Sequence, residues 1–125
     1  MGIKQIRLTN AQIEDILNKL NRIKNKDIAI DALTMYQIIK NIKTLEVLIA
    51  SYVEVKNSLI LKFGVANDEG NVSVPEEKKV EFFEEIKPII NEEHDIEIHA
   101  INIKSLDGVI FTMDDMLALE IMIEE

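Results

Sequence analysis

The sequence predicts an α+β fold dominated by helix: a long central helix, a helical hairpin, and a small, mostly antiparallel sheet at one side. Three observations carry this expectation. From Asp27 to Phe63 the chain has neither proline nor glycine. Within that stretch Met35, Ile38, Ile42, Leu45, Ile49, Tyr52, Leu59 and Phe63 recur at steps of three and four, with only Lys56 interrupting the series. That is the spacing of one helix face. From Asp95 to Ala100 polar and apolar residues alternate, the period of a half-buried strand. Between them, a turn-forming run at Asn67–Asn71 separates two short β-prone pieces, the pattern of a hairpin.

In chain order, Ile3 to Leu8 alternates loosely and reads as a short strand. Thr9 with Gln12 three residues on is a capping box, so a first helix begins near Asn10. Its apolar face is Ile13, Ile16, Leu17, Leu20 and Ile23, and a turn falls within Asn21–Lys26. Asp27 or Asp31 then caps the long helix, where a carboxylate meets the positive end of the helix dipole. The two helices form a hairpin over residues 1–63. A second stripe (Ile39, Leu48, Val53, Val55, Ile60) widens the apolar face of the long helix and predicts neighbours on more than one side. The helix must stop by Gly64, expected as a left-handed cap.

Residues 64–125 read as hairpin, helix, strand and helix. Pro75, followed by Glu76 and Glu77, marks a helix start. That helix should run to about Glu92, with Val80, Phe83, Ile86 and Ile90 on one face and Phe82 and Ile89 beside them. Pro88 predicts a kink or a second short helix. In the strand Asp95–Lys104 the apolar parity shifts after Ala100, which calls for a bulge or for burial of both faces. Asp107-Gly108 is a turn, and Val109–Phe111 could be extended. Thr112 with Asp115 opens the last helix, Met113 to about Ile123, apolar on nearly every side and expected to be well buried, either within the chain or in a partner.

At 125 residues, 47% hydrophobic and 30% charged, the chain is expected to be a single domain with a core of its own. With no cysteine, disulfides, thiolate metal sites and a cysteine nucleophile are excluded. No signal peptide, myristoylation motif or membrane span is expected, and the reading is cytoplasmic. Net charge is −9, unevenly spread: residues 1–62 carry 10 Lys and Arg against 6 Asp and Glu, and residues 63–125 carry 4 against 17. Direct nucleic-acid binding is therefore disfavoured. The acidic half suits solubility or a partner with a basic surface.

No catalytic signature is visible, so the protein is expected not to be an enzyme and to need no cofactor. His94 and His99 lie among carboxylates. Asp95, Glu97 and His99 would share one face of a strand, but a zinc site wants three or four convergent ligands and no further imidazole is at hand. No metal site is assigned. Glu76, Glu77, Glu81, Glu84 and Glu85 cluster on one helix and are the candidate partner-binding residues; paired catalytic carboxylates would instead face each other across a cleft. On the long helix Met35, Tyr52, Lys56 and Leu59 are the candidates for self-association. Tyr52 and Lys56 hold core-register positions one turn apart, where polar residues either reach the rim or specify a helix–helix register. The stripe is also longer than short neighbouring helices can cover, which predicts a homo-oligomer.

The runs Asn67-Asp-Glu-Gly-Asn, Pro75-Glu-Glu-Lys-Lys-Val-Glu-Phe-Phe-Glu-Glu-Ile and Ile89-Ile-Asn-Glu-Glu-His-Asp-Ile-Glu-Ile follow a long helix. Thr112-Met-Asp-Asp-Met-Leu-Ala-Leu-Glu comes after them. This layout resembles an uncharacterised family of small phage and prophage proteins from low-GC Gram-positive bacteria, over about residues 30–123. The resemblance implies a phage origin and no assigned activity. Two functions compete. One is a non-catalytic, phage-encoded protein that binds, and thereby inhibits, a host or defence protein through its acidic half. The other is a virion structural or assembly component that oligomerises through the long helix.

Overall fold

A computed structural model describes residues 2–26 and 29–124. Strand β1 (Ile3–Thr9) leads directly into helix α1 (Asn10–Lys24). Thr9 closes the expected capping box: Gln12 N–H donates to Thr9 Oγ1 at 3.2 Å, and Thr9 N–H donates to Gln12 Oε1 at 2.8 Å. Helix α1 buries Ile13, Leu17, Leu20 and Ile23, a stripe at steps of three and four, against the long helix α2 (Ala32–Phe63). The helix expected from Asp27 starts later. Asp31 is extended (φ −64°, ψ 156°) and accepts from Thr34 N–H at 2.8 Å and from Thr34 Oγ1 at 2.8 Å. That cap ends the search for helical partners at Asp31, so Ala29 and Ile30 lie outside the helix, while Asp27 falls outside the described residues. Hydrogen bonds from Thr34 hold the Asp31 carboxyl below its usual range.

The left-handed cap expected at Gly64 is absent; its backbone is extended, at φ −84°. Glycine serves close approach there instead. A Cβ would stand 2.2 Å from the Ile60 carbonyl oxygen and 2.4 Å from Val72 Cγ1, so a side chain would push the following hairpin off the helix end. That hairpin, β2 (Val65–Ala66) with β3 (Val72–Ser73), is antiparallel. Its turn uses Gly70 at φ 84° and Asn67 Oδ1, which accepts from the Glu69 and Asn71 amides. A single 3-10 turn (Glu76–Lys78) opens helix α3 (Lys79–Ile90), which passes through Pro88 without a second helix start.

Strand β4 (Glu93–His99) pairs antiparallel with β1, Ile6 opposite Ile96 and Arg7 opposite Asp95. It ends at His99, well short of Lys104. The parity shift after Ala100 marks a change of partner: Ile101 forms an isolated parallel bridge with Ile123, its amide donating to the Met122 carbonyl at 2.7 Å. Val109–Phe111 forms no strand, and a 3-10 turn occupies Ile103–Leu106. Helix α4 (Met113–Leu119) starts at the predicted Thr112–Asp115 capping box and runs into a 3-10 turn at Glu120–Met122. Within the chain only one side of it is buried. Ala118, Leu119 and Met122 face the core, while Met113 is 81% exposed and Leu117 51%.

Both halves of the chain feed one core, with Ile38, Ile42, Leu45 and Ile49 of α2 at its centre and Ile96, Ile98, Phe82, Ile86 and Leu119 around them. Two buried asparagines join elements that apolar packing alone would not register. Asn41, 0% exposed, accepts from His99 N–H at 2.8 Å and donates to His99 C=O at 2.9 Å. It satisfies the edge of β4 as a neighbouring strand would. Asn10 donates to the Ile89 carbonyl at 2.7 Å. That bond fixes its amide orientation, so His94 Nε2, 2.9 Å from Asn10 Oδ1, is the donor.

Helix α1 is tied to α4 by charge. Lys26 Nζ lies 2.5 Å from Asp115 Oδ2, and the Thr112 amide donates to the same oxygen at 3.1 Å. Burial pushes the Asp115 carboxyl up, but these bonds and the Lys26 charge together bring it below the usual carboxylate value. An unfolded aspartate titrates near about 3.9. A carboxyl depressed in the folded state contributes stability that is fully present above that value and lost as the pH falls through the lower, folded one. Urea unfolding of wild type and Asp115→Asn across acid pH tests this. The stability gap between them should narrow as the pH drops from about 5 to about 2; a gap independent of pH contradicts the pairing. Among the described residues no helix is long and apolar enough to cross a membrane.

Candidate interaction surface

Helix α3 lies on α2 through Phe82 and Ile86, with Ile89 and Ile90 partly buried behind them. These positions, at steps of four, three and one, are the face that packs. The alternative stripe read from the sequence, Val80 and Phe83 with Ile86, is therefore corrected. Val80 is 68% exposed and Phe83 55%. The two sit three residues apart on the outer side of the helix, neighbours on one surface. Phe83 is not adrift there. Its ring meets buried Phe82 edge-on, centroids 5.6 Å apart at 73°, so an exposed aromatic is held by a core one.

The five glutamates fall into two groups. Glu76 pairs with Lys79 at 2.9 Å, and Glu85 with Lys62 of α2 at 3.3 Å. Glu77, Glu81 and Glu84 are exposed and make no ion pair among the described residues. Glu77 and Glu84 lie one turn either side of Val80, and Glu81 continues the row. The result is a row of carboxylates beside an apolar pair, with Lys87 one turn beyond Phe83.

Tyr52 and Lys56, read as self-association candidates, are engaged inside the chain. Glu14 of α1 accepts from Lys56 Nζ at 2.8 Å and lies 3.5 Å from the Tyr52 hydroxyl. Burial, and then the Glu14 charge, push the Tyr52 hydroxyl above its ordinary pKa. Met35 is half-buried, and Leu59 packs partly buried against the core. The stripe they belong to faces α1, α3 and β4 within the same chain.

The outer face of the β1–β4 ribbon is also satisfied locally. Arg7 is ion-paired to Glu93 and lies 3.9 Å from Asp95, while Gln5 donates to Glu97 at 3.3 Å. The carboxylates beside His99 are thus turned to β1. Among the described residues no group of three or more His, Asp or Glu side chains is placed to hold a metal. The sequence reading missed Val80 and Phe83 as surface residues. The residues offer two stripes of four, Val80–Phe83–Ile86–Ile90 and Phe82–Ile86–Ile89–Ile90, and the seating of α3 on α2 chooses between them. Comparisons of the chain with protein-family models, curated proteins and solved structures find no match.

Proposed function

We propose that the protein acts without catalysis, by binding another protein through the outer face of α3. The observation that carries this reading is the pairing of an exposed but anchored Phe83, with Val80, and the unpaired carboxylates Glu77, Glu81 and Glu84. Aromatic side chains, phenylalanine among them, are enriched at interfaces over the rest of the surface, and a row of unpaired charge steers a complementary partner and fixes its register. The partner has a basic surface, the kind that otherwise grips nucleic acid. In the form suggested by the resemblance to phage proteins, it is a host or defence protein in the cytoplasm, inhibited by occupation of that surface. Assembly through α2 is the weaker reading, because Tyr52 and Lys56 are used within the chain.

Capture from host lysate tests it. One stoichiometric partner with a basic surface should be retained at low salt and lost at about 0.5 M, where screening shortens the reach of surface charge to a few ångströms. The same partner should be lost on Phe83→Ala, and on joint Glu77→Lys, Glu81→Lys and Glu84→Lys replacement, while Glu85→Lys has a smaller effect because Lys62 already neutralises that carboxylate. Retention through all of these treatments, or recovery of the protein's own chain alone, would sink the reading.

A further inference from the structure

We infer a second docking surface, on the outer side of α4, that accepts an amphipathic helix carrying basic residues. Ile103, Met113, Met116, Leu117 and Ile123, with Glu120, line a shallow groove of ≈ 280 Å³. Its floor is almost wholly apolar. Met113, Met116, Leu117 and Glu120 follow at i, i+3, i+4 and i+7, so the apolar part is a helix stripe one to two turns long. This stripe is the side of α4 that the core does not use. Methionine is unbranched and polarizable, and fits itself to apolar partners of varied shape.

Two features choose the occupant. A partner seated on this apolar stripe binds by side-chain packing, the helix-in-groove mode. Exposed Asp114, Glu120 and Glu124 lie on or beside the lining residues, against exposed Lys104 and Lys4, whose Nζ reaches the Ile123 carbonyl at 3.1 Å; the net negative rim complements a cationic segment. A second copy docked symmetrically would bring two copies of the same net negative rim together, because a two-fold contact presents the same patch on both sides.

The groove is distinct from the α3 face. Asn10, at the start of α1, bonds to Ile89 of α3, whereas Lys26, just past the end of α1, bonds to Asp115 of α4. The 15 residues of α1 separate these two anchor points by about 22 Å.

Fluorescence anisotropy with designed peptides tests the inference independently of α3. The probe is a labelled leucine–lysine helix of about 18 residues, five turns, with leucines at steps of three and four. The controls are a scrambled peptide of the same composition and a leucine–glutamate counterpart. Wild type and Val47→Gln, which changes an exposed apolar residue of α2 outside both surfaces, should bind the probe alike. The joint Met113→Gln, Leu117→Gln variant should bind it at least about tenfold more weakly, a difference well outside ordinary error. Both side chains are exposed, so an unchanged melting curve confirms that this variant is folded. The inference fails if the probe does not bind, or if the scrambled or acidic peptide binds as well as the probe. It fails too if the joint variant keeps full affinity. Binding abolished by Phe83→Gln alone would move the site to α3. A concentration-dependent dimer in light scattering that the joint variant dissolves would make a second copy the occupant.

Discussion

Replacing Asn41 by leucine is expected to destabilise the protein by roughly 2–4 kcal/mol, because it leaves two partly buried backbone groups without partners at about 1–3 kcal/mol each. Leucine keeps the branched outline of asparagine but is larger, so the loss reports the hydrogen bonds together with the cost of overpacking. His99 N–H and C=O lie on the edge of β4 that faces away from β1, and the Asn41 amide meets both. Aspartate at the same position keeps the acceptor, loses the donor and buries a charge beside Met122, whose sulfur lies 3.5 Å from the Asn41 nitrogen. Asn41→Asp should therefore cost at least as much at neutral pH, and part of that cost should be recovered when acid protonates the new carboxyl. Urea unfolding measures both variants. A change below about 0.5 kcal/mol for Asn41→Leu, the range of ordinary surface substitutions, would show that water serves His99 as well as the asparagine does.

Leu45→Ala should cost roughly 2–5 kcal/mol, the range for removing a buried leucine side chain where the surroundings collapse only in part. Leu45 is 0% exposed and belongs to the core face of α2, a helix that packs against α1, α3 and β4. The upper part of the range is expected because helices on several sides limit collapse into the cavity. Unfolding in denaturant, with the slope unchanged, gives the value. A loss under about 0.5 kcal/mol would place Leu45 at the surface. At temperatures where the variant remains folded, binding through Phe83 and the α3 carboxylates should survive, since neither stands on Leu45. Loss of binding in a folded Leu45→Ala protein would argue that the surface depends on the exact seating of α3 on α2.

The elements whose signals are local were legible in the residues. Thr9 with Gln12 and Thr112 with Asp115 set two helix starts through bonds spanning three residues. The stripe from Ile38 to Tyr52 defined the buried face of α2 because a helix repeats at a fixed angle. The alternation at Ile96 and Ile98 defined β4 in the same way, and Asn67 with Gly70 defined the hairpin turn. The acidic bias of the second half, from which the α3 glutamates were chosen, needs no structure to be counted.

What only the tertiary structure decided are the relations between distant residues. Periodicity marks which residues of a helix are apolar, but the neighbour chooses which stripe is buried. The approach of α2 selected Phe82 and Ile86 over Val80 and Phe83, and so turned an expected core pair into a surface one. Helix α4 was divided likewise, its Leu119 side taken by the core and its Met113 side left open. Asn41 looks like a polar interruption in an apolar helix until β4 arrives with unpaired backbone groups. Lys56 looks like a break in a stripe until Glu14 arrives from α1. Gly64 looks like a left-handed cap until Val72 folds back to within van der Waals reach of its Cα. In each case the residue's role is set by a partner that folding brings to it, 58 positions away for Asn41. No local pattern encodes which partner will come, because that follows from how the whole chain buries its apolar surface while satisfying its polar groups.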